Sequence, residues 1–345
     1  MKYTTIPNTD IKVSKICLGT MTFGEQNTEA EGHEQMDYAL SKGVNFFDTA
    51  ELYSVPARAE TYGSTEKIIG TWLQKTGKRD KVVIASKIAG AGAYTAHIRS
   101  NGFAKEAIIS AVEGSLKRLQ TDYIDLYQLH WPERGVNCFG VRDYPHQTAA
   151  KEAENHLEIL ETLDDLIKQG KIRSIGLSNE TPWGTMQYLQ TAKDNELPRM
   201  ATIQNSYSLI HRAYEYGMSE VSLRENIGLL VYSPLGFGVL SGKYLNGQMP
   251  TDSRVKLFPN YNRYSSAQSE RAVVEYQKIA HKHGMTLAEM SLAFVNQLPF
   301  VTSNIIGASK MSQLKENIGS IHIDLSEDII SEINQMHTLI PNPAP

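Results

Sequence analysis

Four titratable side chains carry complementary chemistry: Asp48 at the end of the apolar pair Phe46-Phe47, Tyr53 five residues later, Lys87 and His130. A phenol of pKa about 10 gives up its proton poorly at neutral pH, but an adjacent ammonium favours the phenolate and lowers that value. Lys87 is the candidate ammonium, with Asp48 keeping it charged and oriented. A histidine beside the phenol would hold a carbonyl oxygen by hydrogen bond, so that Tyr53 delivers a proton. No side chain donates hydride, so a reduced cofactor is required. Singly, each residue has a plain structural reading: Asp48 as a turn former, Lys87 as a surface lysine, His130 as a satisfied core histidine. Other chemistries lack parts. His130 has no H-x-x-x-H or H-E-x-x-H partner, so no metal site is expected. The G-x-S-x-G of a serine hydrolase is absent. A Schiff base on Lys87 is the strongest rival, but it leaves Asp48 and Tyr53 without a role.

The elements that must position these groups follow a rhythm of short apolar run, polar loop and amphipathic helix. Strands are expected over 16–18, 45–48, 82–87, 123–130, 172–179, 201–205, 228–232 and 302–306. Helical faces are read from Ile108, Val112, Leu116 and Leu119, and from Leu157, Leu160, Leu163 and Ile167. Lys42-Gly43, Gln169-Gly170 and Ile227-Gly228 look like helix ends closed by a left-handed glycine. Strict alternation predicts a parallel sheet, and eight strands predict a (β/α)8 barrel in one domain, 1–345. A hairpin is expected over 1–14, long loops over 131–153 and 237–266, and a disordered tail at 339–345. An open doubly wound sheet would need G-x-G-x-x-G after its first strand, which Gly19-Thr20-Met21-Thr22-Phe23-Gly24 does not provide. A barrel collects its strand ends at one mouth, here Thr20, Asp48, Lys87, His130, Ser178 with Asn179, Gln204, Tyr232 and Ser309. Phe23, Trp131 and Tyr207 suggest an aromatic substrate pocket.

The 345 residues are 41% hydrophobic and 21% charged, with a net charge of −4 and no basic block. That balance argues against nucleic acid or an anionic membrane as partner, and no stretch approaches the roughly 18 apolar residues of a membrane span. Cys17 and Cys138 are too few for a disulfide framework, which points to a cytoplasmic setting.

Phe47-Asp48-Thr49-Ala50-Glu51-Leu52-Tyr53, followed by Gly63-Ser64-Thr65-Glu66, resembles the first signature of the aldo-keto reductases. Ser115-Leu116-Lys117-Arg118-Leu119 with Asp122-Tyr123-Ile124-Asp125-Leu126-Tyr127-Gln128-Leu129-His130 resembles the second. The likeness covers nearly the whole chain, and Gly19 to Gln26 with the loop after His130 point to a bacterial branch. It implies NADP(H)-dependent reduction of a small-molecule carbonyl, with Asp48, Tyr53, Lys87 and His130 as a tetrad and Tyr53 as proton donor. It also implies that Gly19, Thr20, Met21 and Asp48 border the cofactor. Ser178, Asn179 and Gln204 would hold the nicotinamide carboxamide, with Tyr232 stacked on the ring. Ser233, Pro234, Leu235, Gly238, Leu240, Ser241 and Lys243 would follow the pyrophosphate, and Arg254 would close the loop over it. Gly307, Ser309, Lys310, Gln313, Glu316 and Asn317 fall where the family contacts adenosine and the 2′-phosphate. Gln313 stands where many relatives carry Arg, and Gly307 where some carry Lys, so Lys310 and Ser309 are left to serve the phosphate. The β subunits of potassium channels also resemble the family, which leaves a cofactor-binding sensor or regulatory subunit as the alternative.

Overall fold

The structure, a computed structural model, describes residues 1–146 and 155–344. The end of the long loop expected over 131–153, and Pro345 of the tail, lie outside the described residues. Strands β1 (Tyr3–Thr5) and β2 (Lys12–Ser14) pair antiparallel as the expected hairpin. Eight strands follow: β3 (Ile16–Gly19), β4 (Phe46–Asp48), β5 (Val83–Ile88), β6 (Ile124–Leu129), β7 (Ile172–Ser178), β8 (Thr202–Ser206), β9 (Gly228–Tyr232) and β10 (Val301–Ile306). All pair parallel in sequence order, and β10 closes on β3. The fold is the predicted (β/α)8 barrel, with strand boundaries within a residue or two of those expected.

The pleat decides which residues reach the barrel axis, because successive side chains point to opposite faces. Phe46 packs inside the barrel with Cys17, Ala85, Leu126 and Leu230, and the hairpin residues Ile6, Ile11 and Val13 join that inner cluster. Phe47 points the other way, edge-on to Trp72 at 5.7 Å in the layer between strands and helices. Asp48 is therefore inward again, at the mouth. The same parity carries Ala85 to Lys87, Leu126 to Gln128 and Leu230 to Tyr232.

The outer layer comprises α1 (Glu29–Ser41), α2 (Ser64–Thr76), α3 (Lys105–Leu119), α4 (His156–Lys168), α5 (Pro182–Asp194), α6 (Met218–Glu225), α8 (Ala267–Lys282), α9 (Leu287–Gln297), α10 (Met311–Gly319) and α11 (Glu327–Leu339), while the single turn α7 (Arg254–Leu257) lies in the loop after β9. Among the described residues, no helix is long and apolar enough to cross a membrane. In α3 the expected face, Ile108, Val112, Leu116 and Leu119, is the buried one.

Three expectations need correction. In α4 the buried face is Ile159, Leu160, Leu163 and Leu166, while Leu157 is 42% exposed. Gly228 does not end a helix: Asn226 takes the left-handed turn after α6, at φ 48°. Gly228 is instead the first residue of β9, where an added Cβ would overlap the Thr302 hydroxyl of neighbouring β10. The tail is not loose. Arg212 N donates to Asn342 Oδ1 at 2.6 Å, Ala344 N to Ile210 O at 3.1 Å, and Ser266 Oγ to Pro343 O at 3.0 Å.

Candidate active site

At the carboxyl mouth, Asp48 is held from two sides. Lys87 Nζ donates to its Oδ2 at 2.7 Å and to the Thr49 carbonyl at 2.8 Å, while Gln204 Nε2 donates to its Oδ1 at 2.8 Å. Lys87 has no solvent exposure at all. Its ammonium lies 4.9 Å from the Tyr53 ring centroid, and the Tyr53 and His130 rings meet edge-on with centroids 5.6 Å apart. The loop that brings Tyr53 there is anchored by Glu51, whose carboxylate accepts from Ala89 N at 2.6 Å just past β5 and pairs with Arg99. Thr20 Oγ1 donates to the Asp48 carbonyl at 2.8 Å, tying the end of β3 to that of β4.

The protonation states differ in one respect from the expectation. Burial, and then the Asp48 carboxylate, push the Tyr53 phenol well above its ordinary pKa, with the Arg254 charge opposing them. Burial is the largest cause, so the phenol feels desolvation first. Tyr53 is thus held protonated, the state a proton donor requires. Burial, and then the Lys87 charge, hold His130 well below the usual imidazole range, and it is neutral. Among the described residues its buried Nδ1 has no hydrogen-bond partner.

A cavity of about 840 Å³ opens from this floor. It is bordered at the strand mouths by Gly19, Thr20, Met21, Asp48, Tyr53, His130, Ser178, Asn179 and Gln204, with Lys87 hidden beneath. Asn179 is fixed by its neighbours: its Nδ2 donates to the His130 carbonyl at 2.9 Å and its Oδ1 accepts from the Tyr232 hydroxyl at 2.6 Å. Beyond Tyr232 the wall continues through Ser233, Pro234, Leu235, Gly238, Ser241, Lys243 and Arg254, and then through Gly307, Ser309, Lys310, Gln313, Glu316 and Asn317. Gln313 Oε1 accepts from Ser309 N at 3.0 Å, and Lys310 Nζ pairs with Asp252 at 2.5 Å. That ion pair joins the loop after β9 to the segment after β10, across the cavity.

Three assigned residues do not reach the cavity. Phe23 is fully buried beside Gly32 of α1 and Ile68 of α2. Tyr207 is fully buried too, its ring 5.8 Å from Phe300 and its hydroxyl on Glu215. It has the same parity as Ile203, which faces the helices, so it points away from the mouth. Leu240 belongs to the core, turned inward within the tight turns after β9. Of the proposed aromatic pocket, Trp131 remains, packed on His130 at 4.9 Å. Its companions are Tyr94, Phe139, Phe237 and Tyr261, with Arg263 among them. The aromatic content and length of the loops after His130 and Tyr232 mark these regions in the sequence, but nothing in the sequence singles out Arg263.

A closed parallel (β/α)8 barrel with polar and titratable groups gathered at its carboxyl mouth is an enzyme architecture. The sequence matches the aldo/keto reductase family across residues 15–338, and the chain belongs to that family of oxidoreductases. It is 50% identical over 347 aligned positions to Protein tas of Escherichia coli (strain K12), covering 100% of each chain. It is 40% identical over 273 positions to an aldo-keto reductase of Babesia bovis, covering 74% of this chain and 96% of the relative. An uncharacterized oxidoreductase of Bacillus subtilis (strain 168), YrpG, is 32% identical over 345 positions, covering 97% and 96%.

Proposed function

We propose that the protein reduces aldehydes or ketones to alcohols with NADPH, and that Tyr53 is the general acid. The observation that carries this reading is the buried Lys87–Asp48 pair lying directly beneath a protonated phenol and a neutral imidazole. His130, neutral, donates from one ring nitrogen to the carbonyl oxygen and orients it toward the Tyr53 hydroxyl. Tyr53 gives up its proton as charge develops on that oxygen, and the Lys87 ammonium below stabilises the phenolate left behind. Asp48 keeps the ammonium in place.

The residues fit a dinucleotide with phosphates. Lys243 is held below its ordinary pKa by burial and then by Arg254, with Lys310 adding to the effect, so this stretch has more positive charge than Asp252 alone offsets. A phosphate would relieve that repulsion. Gly238, at φ 88°, has the backbone of a phosphate-approaching turn, and an added Cβ would strike the Lys243 ammonium end at 2.7 Å. Bound, NADPH supplies the hydride. Ser178, Asn179 and Gln204 are already fixed by neighbours and would hold its carboxamide, while Tyr232 supplies a stacking face. Lys310, released from Asp252, and Ser309 would take the 2′-phosphate, a charge-assisted contact that should favour NADPH over NADH by about tenfold to a hundredfold.

A panel of aldehydes and ketones followed by NADPH absorbance tests the reading. Tyr53→Phe should lower kcat by about a hundredfold to ten-thousandfold while NADPH still binds. A variant that keeps most of the wild-type kcat sinks the assignment. NADPH bound tightly with no carbonyl turned over would favour the regulatory reading, and equal affinities for NADPH and NADH would remove the cofactor preference.

A further inference from the structure

Among the described residues that border the cavity, Arg263 stands out for what surrounds it. Its guanidinium lies 4.8 Å from the Phe237 centroid, 5.0 Å from Tyr264, 5.8 Å from Tyr232 and 6.0 Å from Phe139. Among the described residues its buried Nε has no hydrogen-bond partner and no carboxylate pairs with it, while the Tyr232 and Tyr264 side chains are its polar neighbours. The other cations of the cavity are accounted for. Lys87 is paired with Asp48, Lys310 with Asp252, and Lys243 and Arg254 lie together on the phosphate stretch. Arg263 shares the Phe237 ring with Arg254, whose guanidinium lies 5.2 Å from the same centroid, but it also reaches the rings on the His130 side. Trp131 packs on His130 at 4.9 Å, Phe139 meets Trp131 edge-on at 6.0 Å, and Arg263 follows Phe139, so the cation sits two rings away from the carbonyl-orienting histidine. A guanidinium held among aromatic faces keeps its donors in a fixed planar fork, the geometry that matches a carboxylate bidentately.

We infer that the substrate is an anionic carbonyl compound, a carboxylate joined to its aldehyde or ketone by a flat apolar spacer, and that Arg263 is the residue that selects it. This rests on the carbonyl-reductase reading above. The carbonyl meets Tyr53 and His130, the spacer lies along Trp131 and Phe139, and the carboxylate pairs with the Arg263 guanidinium. Discrimination against neutral analogues follows from the same contact, because they gain no charge-assisted hydrogen bond there.

The test compares 4-carboxybenzaldehyde with methyl 4-formylbenzoate, which share the reacting aldehyde and differ in charge. Wild-type kcat/KM should favour the acid by at least about tenfold, the size of one charge-assisted contact, mainly through KM, and the preference should shrink with added salt. Arg263→Met keeps the apolar stem and removes the charge, and the acid-to-ester ratio should collapse toward unity. Arg263→Lys should retain part of it, which guards against a folding defect in the Met variant. A wild-type ratio near one, a ratio unchanged in Arg263→Met, or a loss in that variant confined to NADPH affinity each overturns the inference. If neither aldehyde is reduced, the carbonyl-reductase reading fails, and quenching of intrinsic fluorescence by benzoate but not benzamide, lost in Arg263→Met, still reads the carboxylate site.

Discussion

The Lys87–Asp48 pair shows how a residue's role changes once its partner is seen. Read from the sequence, Lys87 serves Tyr53 by lowering its pKa, but in the structure the phenol is raised by burial and by Asp48, and the ammonium is committed to the carboxylate. Lys87→Met should therefore cost stability as well as activity. It leaves Asp48 buried with only the Gln204 amide, and breaking a buried ion pair from one side costs about 3 to 5 kcal/mol. Replacing both partners, as in Asp48→Asn with Lys87→Met, should recover much of the stability and none of the turnover. Urea denaturation of the cofactor-free variants reads this directly, and a Lys87→Met protein as stable as wild type would contradict it. The four titratable groups were legible because each ends a strand or opens the loop after it, where barrels put chemistry. Phe23 and Tyr207 were misread because an aromatic side chain near a strand end says nothing of which face it takes.

At the scale of elements, the pleat and the helical period were legible to different depths. A strand of three or more residues fixes its own parity, so in the structure Phe46 is inward and Phe47 outward with Asp48 at the mouth. In α4 two apolar sets compete: Leu157, Leu160, Leu163 and Ile167 repeat at helical spacing, and so do Ile159, Leu160, Leu163 and Leu166. Periodicity cannot separate them, because they are one helical face rotated slightly. Docking against the strands selects the second. Leu160→Ala should then cost about 2 to 5 kcal/mol, whereas Leu157→Ala should stay within about 0.5 kcal/mol. Chemical denaturation of the two variants side by side decides between the faces, and comparable losses would mean that Leu157 is packed after all. Gly228 belongs to the same lesson: a glycine between helix and strand reads as a helix cap until the neighbouring strand's threonine shows why no side chain fits.

Over the whole molecule, burial leaves a signature in acid. The tail was misread as loose because its prolines exclude regular structure, yet its carbonyls find donors in Ser266, Ser269 and Arg142. One of its contacts is to a histidine, since the Ala344 carbonyl lies 3.1 Å from His211 Nδ1. His130, His156, His211 and His337 are all held below the ordinary imidazole pKa, with burial the largest cause in each. They are neutral in the folded protein, whereas in the unfolded chain they take up protons below about pH 6.5. Between the lowered folded values and that point the unfolded state binds more protons, so stability rises with pH there and is lost as pH falls. Each histidine contributes a slope of at most about 1.4 kcal/mol per pH unit, and above about pH 7 the four contribute none. Glu215, held below its usual range by Arg212 and Tyr207 against the opposing effect of burial, acts in the same direction but in a separate window below about pH 4.5. Urea midpoints of the cofactor-free protein should be level between about pH 7 and 8 and fall between about pH 6.5 and 5, with a shallower fall in His130→Asn, which lacks one of the four protons. A midpoint unchanged down to about pH 5 would mean that these imidazoles are hydrated and protonated in the folded state.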